Sequence, residues 1–468
     1  MPARHSRQIL RLRVSIVGIE PEIWRTIDVD ENLTLADLHP VLQVAFNWSM
    51  SHLHRFSDGD PWGRGNGIPR IGRKPRAWVD AWSLTELGPD AEEEDESQTT
   101  VGDAMLDGGP LWYVYDSGDN WVHRIDVIDR DDARIGEPPA QVVAGERRAP
   151  FEDSGGVDGY EDLVAILADP SHPEHRSATT WVATTIGPWG LDDLEEADLD
   201  GARGDLRMLF GEGSTDMSGL VDAANGVTDE SPIVDLASAL PVPVRSNLRR
   251  HLQRRGLLTP GSIREEDAAD AVRPFAWLID RIGNDGVTLT KAGWMPPAVV
   301  LDGMTTLGWR DDWIGEVNRE DLTYPMRELR ASAERLRLIR KVRGRLELVR
   351  RTRPAVGTPT LLAEQIARGL LRQRMTDGQR IASTILAIGL ADGSVTRRRD
   401  GERQVIGILN ELGYADSQGR LLDQRWFSSL TEPVMEVFGA LGLWRSEGRG
   451  RDVPVTGAVR AIACLALK

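Results

Sequence analysis

Eight polar side chains in the first third of the chain have the types needed for metal binding or proton transfer. They are His39, His52, His54, Asp116, Asp119, His123, Glu152 and Asp153. Imidazole and carboxylate together can hold a divalent cation or act as acid and base. His52 and His54 are two residues apart, so on a strand they share a face, one way to present two imidazoles to one ion. Asp116, Asp119 and His123 surround the turn Ser117-Gly118-Asp119-Asn120. This gives a candidate metal set of His52, His54, Asp116, Asp119 and His123, with no other cofactor implied. Each member also has a plainer reading. His123 shares its strand face with Trp121 and Ile125, as a core histidine would, and Asp beside a tight turn commonly bonds its own backbone. The chain contains no H-E-x-x-H, P-loop, G-x-S-x-G or strand-linked G-x-G-x-x-G. Catalytic residues therefore stay unassigned. The acidic run Ala91–Glu96 is expected to be a solvated loop.

A second chemistry lies far downstream. From Arg327 to Arg353 there are 11 basic and 3 acidic residues, a net of 11 − 3 = +8. Within this stretch Arg327, Arg330, Arg335 and Arg337 belong to one expected helix. Arg340, Lys341, Arg343 and Arg345 belong to the hairpin after it. A basic helix followed by a basic hairpin suits phosphate contact and groove entry, so these eight are the candidate nucleic-acid-binding residues. Because 52 of the 56 basic residues are Arg and 4 are Lys, Arg abundance alone carries no functional information.

The elements that must position the first set are legible. Residues 9–19 alternate as a half-buried strand, residues 23–29 form a second, and Thr34 caps an amphipathic helix with Leu35, Leu38, Leu42 and Phe46 on one face. A strand over 52–56 completes a ββαβ opening of β-grasp-like form. Residues 112–116 and 121–127 are two further strands, and a helix is expected over 160–167. Together these predict an α+β fold with an N-terminal mixed-sheet domain.

The ordered motifs here resemble one family. They are I-W-R (23–25) and L-A-D-L-H (35–39), then W-x-x-S-H-L-H-x-F (48–56) and Y-x-Y-D-x-G-D-x-W-x-H-x-I (113–125). E-D-x-G-G-x-x-G-Y (152–160) and D-P-x-H-P-E-H (169–175) complete the series. Over about residues 7–210 the series is similar to the pRi-plasmid ORF-three-like family, also met as a transposon passenger or TnpR-like protein. The family pattern has Cys-Pro-Pro-Glu-Asp where this chain has Ala149-Pro150-Phe151-Glu152-Asp153, so no thiol chemistry is available there. The resemblance implies a prokaryotic, mobile-element-associated protein of uncharacterised function, and it does not imply recombination.

The rear half repeats an order of elements. Helices over 272–282, 296–307 and 323–336, a short strand at 287–289 and a hairpin over 338–349 give the order of a winged helix. The order recurs over 381–390, 394–396, 403–412, 430–441 and a hairpin at 443–456. Glu432 and Glu436 replace arginines in the second copy's third helix, which suits packing against a partner or the chain itself. The expected domains are an α+β domain over 1–210, a linker over 211–240, and mostly helical winged-helix-like domains over 241–355 and 356–468.

Charge follows this division. Residues 1–240 carry 19 basic and 46 acidic side chains, a net of 19 − 46 = −27; residues 241–468 carry 37 and 27, a net of +10. The single cysteine excludes an internal disulfide and a thiolate cluster. No apolar run approaches the roughly 18 residues of a membrane span, and the N-terminus lacks an apolar signal core, so a cytoplasmic location is expected. Three functions stay open. The leading one is a non-enzymatic binding or regulatory protein with weak DNA contact through the first winged helix. The others are a metal-dependent hydrolase or nuclease using the His/Asp cluster, and a protein–protein interaction scaffold.

Overall fold

The structure is a computed structural model. It describes residues 7–61, 74–134, 136–185, 189, 195–211, 227–228, 230–258, 263–311, 313–443 and 455–468. The chain forms two compact units. One comprises Met1–Gly219 with Leu240–His251, the other Leu220–Ala239 with Leu252–Lys468.

The first unit opens as the alternation dictates, with β1 (Gln8–Ile16), β2 (Trp24–Asp30) and α1 (Leu35–Phe46). Thr34 and Asp37 form a reciprocal capping box, and α1 runs straight through Pro40. Then come β3 (His54–Ser57), β4 (Ala77–Val79), α2 (Ala81–Leu87), β5 (Glu94–Asp95) and α3 (Val101–Ala104). The unit continues with β6 (Leu111–Tyr115), β7 (Trp121–Asp132), β8 (Ala140–Glu146), α4 (Gly156–Ala168), α5 (His175–Thr185) and α6 (Leu199–Leu209). The strands form one eight-stranded sheet in the order β5-β4-β3-β6-β7-β1-β2-β8. Every pairing is antiparallel except β4–β5, which makes the sheet mixed. Leu10, Leu12, Val14 and Ile16 of β1 meet Leu35, Leu38, Leu42 and Phe46 of α1 in a shared core.

Two arginines explain how the unit closes. Arg25 is 2% exposed. Its guanidinium donates to the Ala45 carbonyl at 2.9 Å, to the Trp24 carbonyl at 2.8 Å and to the Glu146 carbonyl at 2.9 Å. It therefore ties β2 to the end of α1 and to β8, where the orphan carbonyls of a helix C-terminus need donors. Burial pushes its pKa down to about 10, with nearby Arg250 adding to the effect. Arg249, on α8 (Val242–Arg254), is buried against Asp198 at 2.9 Å and Asp205 at 3.9 Å, and Arg245 meets Asp205 at 3.1 Å. These pairs place residues 242–251 with the first unit, although the expected boundary assigned them to a rear domain.

In the second unit α7 (Pro232–Ala239) lies inside the stretch expected to be a linker. Its Ile233, Val234, Leu236 and Ala237 are buried, and the helix packs on α13 (Asp377–Asp392). Between them run α9 (Glu265–Ile282), β9 (Val287–Thr288), α10 (Pro297–Thr306), α11 (Tyr324–Arg335), β10 (Ile339–Val342), β11 (Arg345–Leu348) and α12 (Pro359–Leu370). Helix, strand, helix, helix, hairpin is thus the order present, and the strands pair as β10-β11-β9. Arg343 and Gly344 both have positive φ, the backbone of a two-residue hairpin turn that follows strand twist.

The second copy departs from its expected order. After α13 come α14 (Arg398–Glu411), α15 (Arg425–Ala440) and α16 (Gly457–Ala466). Residues 394–396 are not a strand; the Val395 N–H donates to the Gly389 carbonyl at 2.8 Å, folding the chain back on α13. Most of the expected hairpin, 444–454, lies outside the described residues. Among the described residues no helix is long and apolar enough to cross a membrane.

Arg25→Met should leave the buried Ala45 carbonyl and the part-buried Trp24 and Glu146 carbonyls short of a donor while keeping the aliphatic stem. The expected loss is about 2–4 kcal/mol of unfolding free energy, measured by urea titration; an unchanged midpoint would show that Arg25 does not close the unit.

Candidate functional site

The four candidate histidines of the first unit, His39, His52, His54 and His123, separate into three environments. His123 is fully buried on β7, edge-on to Phe46 at 4.9 Å and to Trp48 at 5.2 Å. Its Nδ1 lies 3.1 Å from the Trp121 carbonyl and 3.3 Å from the Tyr113 carbonyl, which orient it as a donor. Burial pushes its pKa down to about 4. It faces the aromatic core and does not join the other candidates.

His54 stacks flat on His39, centroids 3.6 Å apart, and its Nε2 meets the Glu96 carboxylate at 2.7 Å. Glu96 is therefore buried, which corrects the expectation of a fully solvated acidic run. The error has a simple origin, since charge density along a chain does not reveal a distant imidazole. Gln43 donates to the Tyr113 hydroxyl at 2.9 Å, and His39 Nδ1 lies 2.8 Å from the same hydroxyl. His39 is pushed down to about 3, first by burial and then by His54.

His52 goes elsewhere, because β3 begins only at His54 and the two imidazoles do not share a strand face. Its Nδ1 is 3.7 Å from Asp116 Oδ2, and its Nε2 is 3.4 Å from Asp153 Oδ1. Asp119 accepts the Gly155 N–H at 3.1 Å instead. So of the five expected ligands the fold brings together His52 and Asp116, and adds Asp153. Beside them the Tyr115 hydroxyl donates to Glu152 at 2.6 Å, and Glu152 accepts the Ser49 N–H at 2.9 Å. Burial and the Glu152 contact hold the Tyr115 phenol above its usual range. Sequence reasoning does not reach Tyr113, Tyr115, Gln43 and Glu96 as site residues, because β6 comes beside β3 (His54 opposite Tyr115) only through the long-range pairing of non-consecutive strands.

The sequence of this unit matches the family model described as plasmid pRiA4b ORF-3-like protein over residues 8–198. An uncharacterized protein, y4hQ of Sinorhizobium fredii (strain NBRC 101917 / NGR234), is 31% identical over 179 residues, covering 38% of this chain and 82% of that protein. The chain belongs to the pRiA4b ORF-3-like family. A crystal structure of a protein of unknown function, MM3350 from Methanosarcina mazei Go1, is also similar, at 30% identity and a TM-score of 0.34, covering 42% of this chain and 97% of that one. The ORF-3-like region thus contains all three histidine environments, and the basic residues lie beyond the family match.

In the second unit the eight basic candidates are not equivalent. Arg330 is buried, bound to the buried Glu320 at 2.9 Å, to Glu334 at 3.0 Å and to the Gly293 carbonyl at 3.0 Å. Arg335 pairs with Glu436 of α15, which packs along α11. Glu432 of α15 also acts on Tyr324 at the start of α11. Arg327 lies over the Tyr324 ring at 5.2 Å. Helix α11 is therefore flanked by carboxylates, and Arg330 and Arg335, expected among the nucleic-acid-binding residues, are engaged by Glu320 and Glu436. Arg327, Arg337, Arg340, Lys341, Arg343 and Arg345 remain exposed. Arg340 faces Glu347 at 3.6 Å, and Arg345 donates to the Asp285 carbonyl.

A feature without a sequence motif adjoins them. Arg335, Arg337, Arg351, Arg368, Arg372 and Arg374 line a cleft of about 740 Å³ between the end of α11 and the end of α12. Arg337 also lines a depression of about 350 Å³ with Arg340 and Lys341. Arginines scattered over 40 residues converge here, and only the packing of α12 beside α11 reveals it.

His39 and His123 are both neutral in the folded unit at pH values where an unfolded histidine, at about 6.5, is already protonated. Between those limits the unfolded chain binds more protons, so stability must fall as pH drops from about 6.5 towards 4. His123→Gln should lower the slope of unfolding free energy against pH by about one proton in that window. A slope equal to wild type would show that His123 is protonated in the native state.

Proposed function

We propose that this protein is a polyanion-binding protein that contacts the nucleic-acid backbone through its second unit, by way of the β10–β11 hairpin and the arginine cleft. The observation that carries this reading is Arg337, which belongs to both basic depressions and makes them one surface. Within the cleft Arg368 faces Glu364 at 3.3 Å and Arg351 donates to the Leu336 carbonyl at 3.1 Å. The exposed Arg368–Glu364 pair is worth little and yields readily to phosphate. The wing-like hairpin adds Arg340, Lys341, Arg343 and Arg345 on one flank. Helix α11 does not act as a recognition helix here, because Glu432 and Glu436 of α15 would repel phosphates approaching it. Binding is then backbone-directed and largely independent of base sequence. The winged-helix likeness of residues 265–348 supports a nucleic-acid partner over a small anion.

Replacing Arg368, Arg372 and Arg374 together by Ala should weaken duplex binding and reduce the slope of log affinity against log salt by about 2–3, roughly one for each phosphate left without its arginine. Arg264→Ala, at an exposed arginine paired with Glu266 and Asp267, serves as the control and should change neither quantity. Fluorescence anisotropy over a salt series measures both. A triple variant with wild-type affinity and slope would overturn the assignment.

A further inference from the structure

The ORF-3-like unit contains a second set of donors that polyanion binding leaves unused. His52 precedes β3, Asp116 begins the β6–β7 turn, and Asp153 lies just before α4. One donor atom from each comes within 4.8 Å of the other two. Ligands about 2.1 Å from a common ion stand about 3.0 Å apart at a right angle and about 4.2 Å apart in line. Those two contacts use opposite nitrogens of His52, Nδ1 towards Asp116 at 3.7 Å and Nε2 towards Asp153 at 3.4 Å, and an ion takes one of them. One donor atom from each residue lies within 4.8 Å of the others, so a turn of the imidazole with a shift of about half an ångström brings the set into that range.

The present contacts are poor hydrogen bonds and leave His52 weakly engaged. Both exceed ordinary hydrogen-bond lengths, and His52 Nε2 is a buried atom with no hydrogen-bond partner. Asp116 Oδ1 accepts the Gly118 N–H at 2.8 Å, which aims Oδ2 at the imidazole as an outer-shell bond orients a ligand. Glu152 is already committed to Tyr115 and Ser49, so it does not compete. Two carboxylates and one neutral imidazole carry a charge of −2, matching a divalent cation.

We infer that His52, Asp116 and Asp153 form a binding site for a divalent transition-metal ion. Mixed nitrogen and oxygen donors suit Mn²⁺, Fe²⁺ or Zn²⁺ better than Mg²⁺, which prefers oxygen alone. Asp153 is 61% exposed, so the positions not filled by protein open to water. An open three-ligand site of this kind can bind and polarise a small oxygen-bearing ligand. His54, Asp119 and His123 take no part, since each is engaged by Glu96, by the Gly155 N–H or by the aromatic core.

The test is titration of the full-length chain with Mn²⁺, counting free ion by its electron paramagnetic resonance signal, with Zn²⁺ as competitor. The expected result is one site per chain that Zn²⁺ empties. His52→Ala and Asp153→Asn should each lower affinity by more than the about 100-fold that loss of an outer-shell partner can cost. His172→Ala should leave it unchanged. Asp153 is exposed, so its variant should fold and can be checked by circular dichroism. A wild-type chain that leaves millimolar Mn²⁺ free, or a site that survives in Asp153→Asn, would overturn the inference.

Discussion

Arg330 and Glu320 meet at 2.9 Å with both side chains nearly out of water. Burial pushes the Glu320 carboxyl up, against the pull of the Arg330 guanidinium and the Met295 N–H. Neither partner can be released without leaving an uncompensated polar group inside, a loss of several kcal/mol. This pair fixes α11 in the second unit. It removes one arginine from the surface, and α15 then brings carboxylates to both ends of the helix. The exposed positive charge that remains lies at Arg327, on the hairpin and at the end of α12.

Local pattern made much of the fold legible. Alternation in β1 and β2, the Thr34 cap and the Asn120 turn each specify their geometry within a few residues. Partners separated by long stretches of chain were not legible. Glu96 sits in an acidic run that resembles a solvated loop until His54, forty-two residues away, pairs with it. Arg249 looks like part of a basic helix in a rear domain, yet Asp198 and Asp205 hold it in the first unit. Residues 394–396 match a strand in register with the first copy, but Val395 bonds back to α13 and has no strand beside it.

The same distinction governs the two sites. His52 and Asp116 were legible because their residue types suggest a ligand set, and Asp153 completes the group only through folding. The candidates that dropped away did so for physical reasons: His123 was claimed by Trp48 and Phe46, His54 by Glu96 and His39, and Asp119 by a backbone N–H. The arginine cleft had no motif at all. Its members come from α11, the segment after β11, and α12 with the residues that follow, so spacing along the chain carries no signal of their convergence.

On the proposed function, the second unit reads phosphate charge and not base edges, since Glu432 and Glu436 of α15 flank α11. The most direct measurement is the affinity of the full-length chain for two duplexes of equal length and unrelated sequence at one salt concentration, with inorganic polyphosphate as competitor. Nearly equal affinities, with displacement from both duplexes by polyphosphate, are expected. A preference for one duplex of about 10³-fold or more, the scale that specific base readout provides, would contradict it.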